Sequence, residues 1–229
     1  MAQQDRAVRT RQRIMEAAAT VFQREGYGAA TIADIIATAG VTKGALYFHF
    51  QSKEDLAQGI LGEQSRQDPA PQDGSQLQQL VDTGLLFAHR LKTDSLVRAS
   101  VRLSLDQHAA GLDRRGPFQA WREHALELLV AAKVEGELLP HVMPVDTAEL
   151  YVGCFAGLQM MSQTMSDYED LPERLSALQR HILPSITVPA VLAGIDSSPG
   201  RTARILAALG ARPFPVDAAG APAGVPTDA

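Results

Sequence analysis

The sequence of 229 residues contains a single cysteine, few aromatic residues and no long apolar run. Cys154 has no second cysteine in the chain with which to form a disulfide, and no Cys/His spacing resembles a zinc site. No stretch approaches the ~18 uninterrupted apolar residues that span a membrane, and the charged N-terminus does not resemble a secretory signal. These absences predict a cytoplasmic protein that holds no metal and enters no membrane.

Motifs for catalysis are also missing. The six histidines are scattered along the chain. His124 and Glu127 lie three residues apart, but the second such pair that a di-metal helix site needs is absent. The sequence has no glycine-rich phosphate loop, no nucleophile elbow and no His-Glu-x-x-His. We therefore expect a protein that is not an enzyme and that requires no cofactor.

The charge is unevenly distributed, although its net value is −5. Residues 1–13 carry four arginines against one aspartate. Residues 1–66 hold eight Lys/Arg and seven Asp/Glu, so the remaining 163 residues carry a net charge of −6. This asymmetry favours an N-terminal end that faces DNA on an acidic body, although an unstructured arginine-rich start would have the same charge.

Helical periodicity runs through nearly the whole chain. Apolar residues recur at helical spacing from Ile14 to Phe22, and Gly26 and Gly28 are expected to end this first helix. Residues 147–165 are apolar on nearly every face, which predicts burial on more than one side. Further stripes predict helices within residues 77–88, 97–105, 118–132, 171–186 and 201–209. Because no strand-like alternation occurs, we predict an all-α fold.

The breaker-rich stretches suggest how the chain is divided. Residues 66–76 are polar with Pro and Gly, and we predict a loop between helices there. We predict a helix-turn-helix DNA-binding domain over residues 1–51 and a helical ligand-binding and dimerisation domain over 52–210. Residues 211–229 are rich in Ala, Pro and Gly, and we predict that they form a disordered tail.

Residues 31–50 have the pattern of a helix-turn-helix. Thr31, with Asp34 as its capping-box partner, begins a two-turn helix that Gly40 ends. Thr42 then caps a helix of less than two turns, which is too short for an ordinary core helix. A helix this short after a tight turn is typical of a recognition helix whose first residues enter the major groove.

Side chains that bind DNA cluster around these helix starts. Lys43 can contact a phosphate or a guanine edge, and Gly44 allows close approach of the backbone. The alternative is a plain helical hairpin with core aromatics; we expect Phe48 and Phe50 in the core but Lys43 and Tyr47 on DNA. The predicted DNA contacts are Thr31, Thr42, Lys43, Gly44, Tyr47, His49, Lys53, Arg6 and Arg9.

The stretch from Thr31 to Leu56, TIADIIATAGVTKGALYFHFQSKEDL, resembles the DNA-binding signature of the TetR family of repressors. The resemblance implies an all-helical homodimer whose first helices bind a pseudo-palindromic operator and whose later helices form a ligand pocket. It also implies DNA contacts, with Lys53 on the phosphate backbone and base or phosphate contacts by Thr42, Lys43, Gly44, Tyr47 and His49.

The second half is less informative. Trp121, the only tryptophan, shares an apolar helix face with Phe118, either in the core or as a cavity wall that offers one N–H donor. Gln159 and Ser162 either orient a ligand or are hydrogen-bonded core groups, and Gln64 lies where it would couple ligand to DNA. The predicted pocket residues are Trp121, Gln64, Leu85, Phe87, Val97, Phe118, Phe155, Gln159 and Ser162.

Three segments together resemble the γ-butyrolactone autoregulator receptors, a TetR branch that controls antibiotic production: VTKGALYFHF, LVRASVRL and FQAWRE. This resemblance implies that Trp121 lies against a signalling lactone in a quorum-sensing repressor of the cytoplasm and nucleoid. The acidic pI of about 5.7 agrees with the lactone-binding members. Two alternatives stay open: a TetR-type repressor that senses a drug, lipid or biosynthetic intermediate, and an architectural DNA-binding protein without a ligand.

Dimerisation is expected on residues 147–165 and 171–188. Gly153 and Gly157 allow another helix to approach closely, although the meaning of this spacing is best established in membranes. Exposed apolar side chains on this segment would need a partner. Those that we expect to pair are Phe155, Leu158 and Met161.

Overall fold

The computed structural model describes residues 2–64, 74–106, 108–109 and 111–211. Its helices are α1 (Ala2–Ala29), α2 (Ile32–Ala39), α3 (Lys43–His49), α4 (Lys53–Leu61), a 3-10 turn (Gly62–Gln64), α5 (Gln76–Thr93), α6 (Ser95–Leu105), α7 (Gly116–Val134), α8 (Pro144–Ser166), α9 (Leu171–Ile186), α10 (Pro189–Leu192) and α11 (Arg201–Ala211). The described residues contain no strand, only an isolated bridge between Leu138 and Thr187. The all-α prediction is confirmed.

Two sequence predictions fall largely outside these residues, namely the loop over 66–76 and the tail over 211–229. In the described part of the chain, none of the helices has the length and apolar character needed to cross a bilayer.

Helix α1 is longer than its apolar stripe suggested. It begins at Ala2, so the four arginines of residues 1–13 lie on a helix and not on an unstructured arm. Gly26 was predicted to end the helix, but it kinks the helix instead, with φ 79° and ψ 155°. Glycine adopts this backbone conformation without the strain that a side chain would bring, and the chain turns helical again until Ala29.

The caps of the short helices follow the sequence. The side chains of Thr31, Thr42 and Ser52 accept hydrogen bonds from the third backbone N–H of α2, α3 and α4, at 3.2, 3.1 and 3.0 Å. Gly40 ends α2 in the left-handed conformation, with φ 60°. Local chemistry therefore sets the boundaries of the helix-turn-helix.

The buried side chains form two hydrophobic cores, which we call the N-terminal core and the C-terminal core. The N-terminal core joins α1–α4, and the C-terminal core joins α5 and α7–α9. Helix α6 belongs to both, because Leu96 and Leu103 pack into the first while Val97 and Val101 pack into the second. A displacement of α6 would therefore alter the packing of both cores.

The N-terminus of α5 is capped by a buried carboxylate from a distant loop. Glu137, which is only 5% exposed, accepts hydrogen bonds from the backbone N–H groups of Gln76 at 2.8 Å and Leu77 at 3.0 Å. The carboxylate satisfies two of the unpaired donors of the helix start and lies at the positive end of the helix dipole. This contact orients α5.

We expect Glu137→Ala to lower the free energy of unfolding by about 2 kcal/mol, because two buried N–H groups lose their acceptor. Urea denaturation followed by circular dichroism measures the change. Glu135→Ala is the matched control, since Glu135 accepts only an exposed hydrogen bond from the Gln76 side chain. Equal destabilisation by the two variants would contradict the assigned role.

Candidate DNA interface and ligand pocket

Helix α3 presents a polar face to solvent. Lys43 and Gly44 are exposed and Tyr47 is 43% exposed. The Lys43 ammonium lies 5.9 Å from the centre of the Tyr47 ring, so the two groups lie side by side. Leu46 and Phe50 are buried and fix the opposite face of the helix. The predicted contact residues Lys43, Gly44 and Tyr47 are thus available to DNA.

Phe48 was expected in the core and is in fact 79% exposed. The prediction fails because α3 has only one buried face. Leu46 and Phe50 are four residues apart and share that face, whereas Phe48 lies two residues from each and therefore points to the other side. Its ring packs edge-on against His49, with 5.0 Å between ring centroids. The spacing alone could have revealed this exposed aromatic next to the predicted contacts.

The four arginines within residues 1–13 of α1 divide into two pairs. Arg6 and Arg9 are exposed and, with Thr42, border a groove between α1 and α3. Arg13 instead donates to the carbonyl of Ala39 at 2.8 Å, at the end of α2. Arg11 lies over the ring of Phe50, 5.0 Å from its centre. The first pair is exposed towards that groove, with Arg9 donating only to the Asp5 carbonyl of its own helix at 3.2 Å, while the second holds α1 against the helix-turn-helix.

Lys53 makes contacts different from those predicted for it. Its ammonium donates to the carbonyls of Tyr27, Gly28 and Ala30 at 2.8, 3.2 and 2.9 Å. It also lies 4.7 Å from the centre of the Tyr27 ring. Three acceptors use all three donors of an ammonium group. In the absence of DNA, Lys53 is therefore engaged with the chain at and just after the C-terminal end of α1, and its phosphate contact stays a prediction.

Thr31 and His49 complete the predicted DNA set. Thr31 is exposed, and its hydroxyl is bonded to the Asp34 carboxylate as part of the α2 cap. His49 is half-buried at the end of α3. Their DNA contacts remain predictions.

A mainly apolar pocket lies in the second half of the molecule, between α5, α7 and α8, with contributions from the 3-10 turn and α6. The empty space between its lining atoms, mouth included, is about 480 Å³, but the centre of a water-sized sphere can move through only about 40 Å³ of it. The pocket is thus a narrow slot, suited to a flat or chain-like molecule unless its walls separate.

Six of the nine predicted pocket residues line this slot: Gln64, Phe87, Phe118, Trp121, Phe155 and Gln159. Three do not. Leu85 and Val97 are buried in the C-terminal core and do not line the slot. Ser162 lies beyond the end of the slot, where its hydroxyl donates to Asp170 at 2.6 Å. The residues that sequence reasoning missed are Gly84, Ser104, Pro117, Tyr151, Val152 and Ala156.

Two buried hydrogen-bond donors in the slot lack an acceptor. The indole Nε1 of Trp121 and the amide Nε2 of Gln64 have no hydrogen-bond partner among the described residues. Each such group costs about 1–3 kcal/mol of stability. The Trp121 ring stacks nearly parallel to Phe155, with 13° between the planes, and lies 4.8 Å from the Phe87 ring. A molecule with an acceptor oxygen would satisfy these donors between aromatic walls.

The side chains that line the slot carry no charge. Burial raises the pKa of Tyr151 to about 12, so its hydroxyl stays protonated, 3.5 Å from the carbonyl of Leu80. A Cβ on Gly84 would lie 2.9 Å from that hydroxyl, so glycine makes room for it. Since none of the described residues that line the slot is a cation, the slot favours a neutral occupant.

An apolar face of α8 is exposed on the single chain. Leu150 is 59% exposed and Met165 is 69% exposed, with Gly153 and Gly157 on the same side. Of the residues expected to pair, Met161 is on this face, Leu158 is half-buried, and Phe155 instead turns inward to the slot. Phe155 lines the slot and not the expected dimer face, because it packs against α5 and α7 of its own chain, which helical periodicity cannot show.

Comparison with known proteins agrees with this geometry. Residues 14–60 match the family model of bacterial regulatory proteins, tetR family. The chain is also 43% identical over 195 residues to the A-factor receptor protein of Streptomyces griseus, covering 85% of this chain and 70% of that protein. The chain belongs to the TetR family. TetR regulators bind operator DNA and function as dimers.

Solved structures of TetR proteins extend the match to the ligand half. TylP, a TetR regulator from Streptomyces fradiae, has a TM-score of 0.81 and 45% identity, covering 89% of this chain and 98% of that one. A γ-butyrolactone receptor described as ArpA-like has a TM-score of 0.64 and 31% identity, with coverage of 89% and 98%. The predicted membership of the TetR family, in its γ-butyrolactone receptor branch, is confirmed.

Lys43, the first residue of α3, and Lys53, the first residue of α4, are expected to behave differently when replaced. Lys43→Ala should weaken operator binding at least about tenfold and leave the melting temperature unchanged, because Lys43 is exposed. Lys53→Ala should lower the free energy of unfolding by about 1–3 kcal/mol, because three carbonyls lose their donor. DNA anisotropy and thermal denaturation separate the two effects. Tight operator binding by Lys43→Ala would contradict the contact assignment.

Proposed function

We propose that this protein represses transcription and leaves its operator when a γ-butyrolactone or butenolide signal enters the slot beside Trp121. The observation that carries the proposal is the pair of buried donors on Trp121 and Gln64, which have no partner among the described residues, in a mainly apolar site. The role is that of a regulator and not of an enzyme, and it would be exercised in the cytoplasm, at the nucleoid.

The DNA-facing side of the proposal rests on exposure. Lys43, Gly44 and Tyr47 would enter the major groove, with Thr42 and His49 beside them. Arg6 and Arg9 would contact phosphates from the groove that they border. Thr31, at the start of α2, would contact the DNA backbone. Because a dimer is two-fold symmetric, its operator would be pseudo-palindromic, with half-sites one turn (roughly 34–36 Å) or a multiple apart.

The ligand side rests on chemical complementarity. A lactone or butenolide ring is flat and neutral, and its carbonyl oxygen accepts a hydrogen bond. The ring would stack on Trp121, beside its aromatic neighbours Phe87 and Phe155, with the carbonyl on the indole N–H. A second oxygen of the ligand would accept from Gln64. A carboxylate ligand would be disfavoured, because none of the described residues that line the slot is a cation that would offset its desolvation.

Coupling to DNA would run through the end of α4. Gln64 lies in the 3-10 turn that follows α4, and the carbonyl of Glu63 accepts from Arg90 of α5 at 3.0 Å. The hydroxyl of Ser100 on α6 donates to the carbonyl of Leu61 at 3.1 Å. A ligand that binds one arrangement of this junction more tightly shifts the protein towards it. A small swing of α4 would then spoil the spacing of the two recognition helices.

The exposed face of α8 would pair the two copies. Leu150, Met161 and Met165 are apolar and exposed, and Gly153 and Gly157 leave room for a facing helix. α9 would pack beside α8 in the same interface. The proposed domains, residues 1–51 and 52–210, divide along the same roles. Helix α4 belongs to the second of them but packs in the N-terminal core.

One experiment tests the whole proposal. We would measure fluorescence anisotropy of a labelled DNA fragment from upstream of the gene, at fixed salt, and then add synthetic γ-butyrolactones and butenolides. Binding followed by release is the expected result. Binding without release would favour a TetR-type repressor for a drug, lipid or biosynthetic intermediate, which a ligand panel read by Trp121 quenching would identify. A steep salt slope with affinity independent of DNA sequence would indicate an architectural protein.

We expect Trp121→Ala to keep operator binding but to need at least about tenfold more lactone for release, because the stacking surface and the N–H donor are lost. Trp121→Phe is the matched variant, since it keeps a ring and removes only the donor, and should show a smaller loss. Both are measured by the same anisotropy titration. An unchanged ligand response in Trp121→Ala would contradict the assigned pocket.

A further inference from the structure

The segment that leads into α7 connects the two hydrophobic cores. Leu112 is buried in the N-terminal core. Five residues later, Pro117 is buried and lines the ligand slot, and Phe118 lines the slot as well. We call residues 112–117 the α7 lead. Besides α6, the α7 lead is therefore a second connection between the helices that carry the predicted DNA contacts and the wall of the slot.

Hydrogen bonds make the α7 lead continuous with its helix. The backbone N–H of Arg115 donates to the Asp113 carboxylate at 3.0 Å, and the Arg115 guanidinium donates to the same carboxylate at 3.0 and 2.8 Å. The carbonyl of Arg115 accepts from the backbone N–H of Gln119, in the first turn of α7, at 3.0 Å. Because these bonds run without a gap from Asp113 into the helix, a displacement of the start of α7 would carry Asp113 with it.

The α7 lead is also bonded to α4. The carbonyl of Asp113 accepts a hydrogen bond from the side-chain amide of Gln58, on α4, at 2.9 Å. Only residues 50–52 separate α4 from α3, the helix whose exposed face carries Lys43 and Tyr47. A displacement of Asp113 would therefore act on the helix that follows the DNA-facing helix directly.

The start of α7 is the part of this helix that an occupant of the slot would move. The centre of a water-sized sphere can move through only about 40 Å³ of the slot, so its walls must separate to admit a larger molecule. Pro117, Phe118 and Trp121, all in the first two turns of α7, belong to those walls. Farther along the helix, Leu129 and Ala132 are fully buried in the C-terminal core and hold the remainder in place.

We propose that Gln58 is a positioning residue of the ligand response, which passes a displacement of α7 to α4 through its hydrogen bond with the Asp113 carbonyl. The ligand moves the start of α7, the α7 lead moves with it, and α4 leaves the position that suits operator DNA. The proposal rests on the proposed function, because a ligand in the slot is what displaces α7. It supplies a route from the slot to α4 that is separate from the junction around Gln64.

Gln58→Met tests the proposal, because methionine has a similar length and helix propensity but cannot donate a hydrogen bond to the carbonyl. Trp121 quenching measures the lactone affinity of the free protein, and DNA anisotropy measures operator affinity and release. We expect both affinities to stay within about twofold, while the lactone concentration for half-release rises at least about threefold. Damage to the fold or to the slot would change the affinities, whereas loss of coupling changes half-release alone.

Gln119→Met is the matched control. Gln119 is exposed in the first turn of α7, and it is the backbone of this residue that bonds to Arg115. The same substitution should therefore shift half-release less than about twofold. Unchanged half-release in Gln58→Met, or an equal shift in Gln119→Met, would overturn the proposal.

A second readout needs no lactone. Coupling between two sites is reciprocal, so operator DNA must also alter the slot. Trp121 is the only tryptophan of the chain, so acrylamide quenching of its fluorescence reports on the slot. We expect operator DNA to change the quenching constant at least about 1.5-fold in the unaltered protein and by much less in Gln58→Met.

The two readouts separate this proposal from the proposed function. If lactones do not release the unaltered protein from DNA, the proposed function fails, and the quenching comparison still decides the role of Gln58. A change of the quenching constant that is equal in the unaltered protein and in Gln58→Met, or that is missing from both, would overturn that role.

Discussion

The packing of α6 between two hydrophobic cores is the constraint on which the rest of this structure depends. Leu96 and Leu103 pack against α1–α4, which carry the predicted DNA contacts. Val97 and Val101 pack against the helices around the slot. Close-packed interiors transmit displacement, because their side chains cannot move independently. A helix shared in this way makes a rigid connection between sites whose residues never touch each other.

Unsatisfied polar groups occur at the site to which the proposed function assigns the ligand. Trp121 and Gln64 in the slot each bury a donor that has no partner among the described residues. Such groups are rare in folded proteins because each opposes folding. In the proposed function, two oxygens of the ligand satisfy these two donors. The same atoms that weaken the unliganded conformation would therefore favour the liganded one.

The helix-turn-helix could be predicted almost entirely from the sequence, because its boundaries depend on local chemistry. Thr31 and Thr42 cap their helices through hydrogen bonds to backbone N–H groups only three residues away. Gly40 ends α2 because it adopts the left-handed conformation. The contacts of Lys53 could not be predicted in this way, because its three carbonyl partners come from residues more than twenty positions away. The exposure of Phe48 was misjudged although its spacing from Leu46 and Phe50 already places it on the other face of α3.

The ligand half shows the same division more strongly. Helical periodicity identified the apolar faces that carry Trp121, Phe155 and Gln159, because burial of a helix face depends on spacing alone. It could not distinguish the slot from the solid core, so the predicted pocket included Leu85 and Val97, which lie in the C-terminal core. The sequence by itself therefore determined the helices, their caps and the TetR family. Only tertiary packing decided which buried atoms lack a partner and where free space remains, since both depend on how separate helices meet.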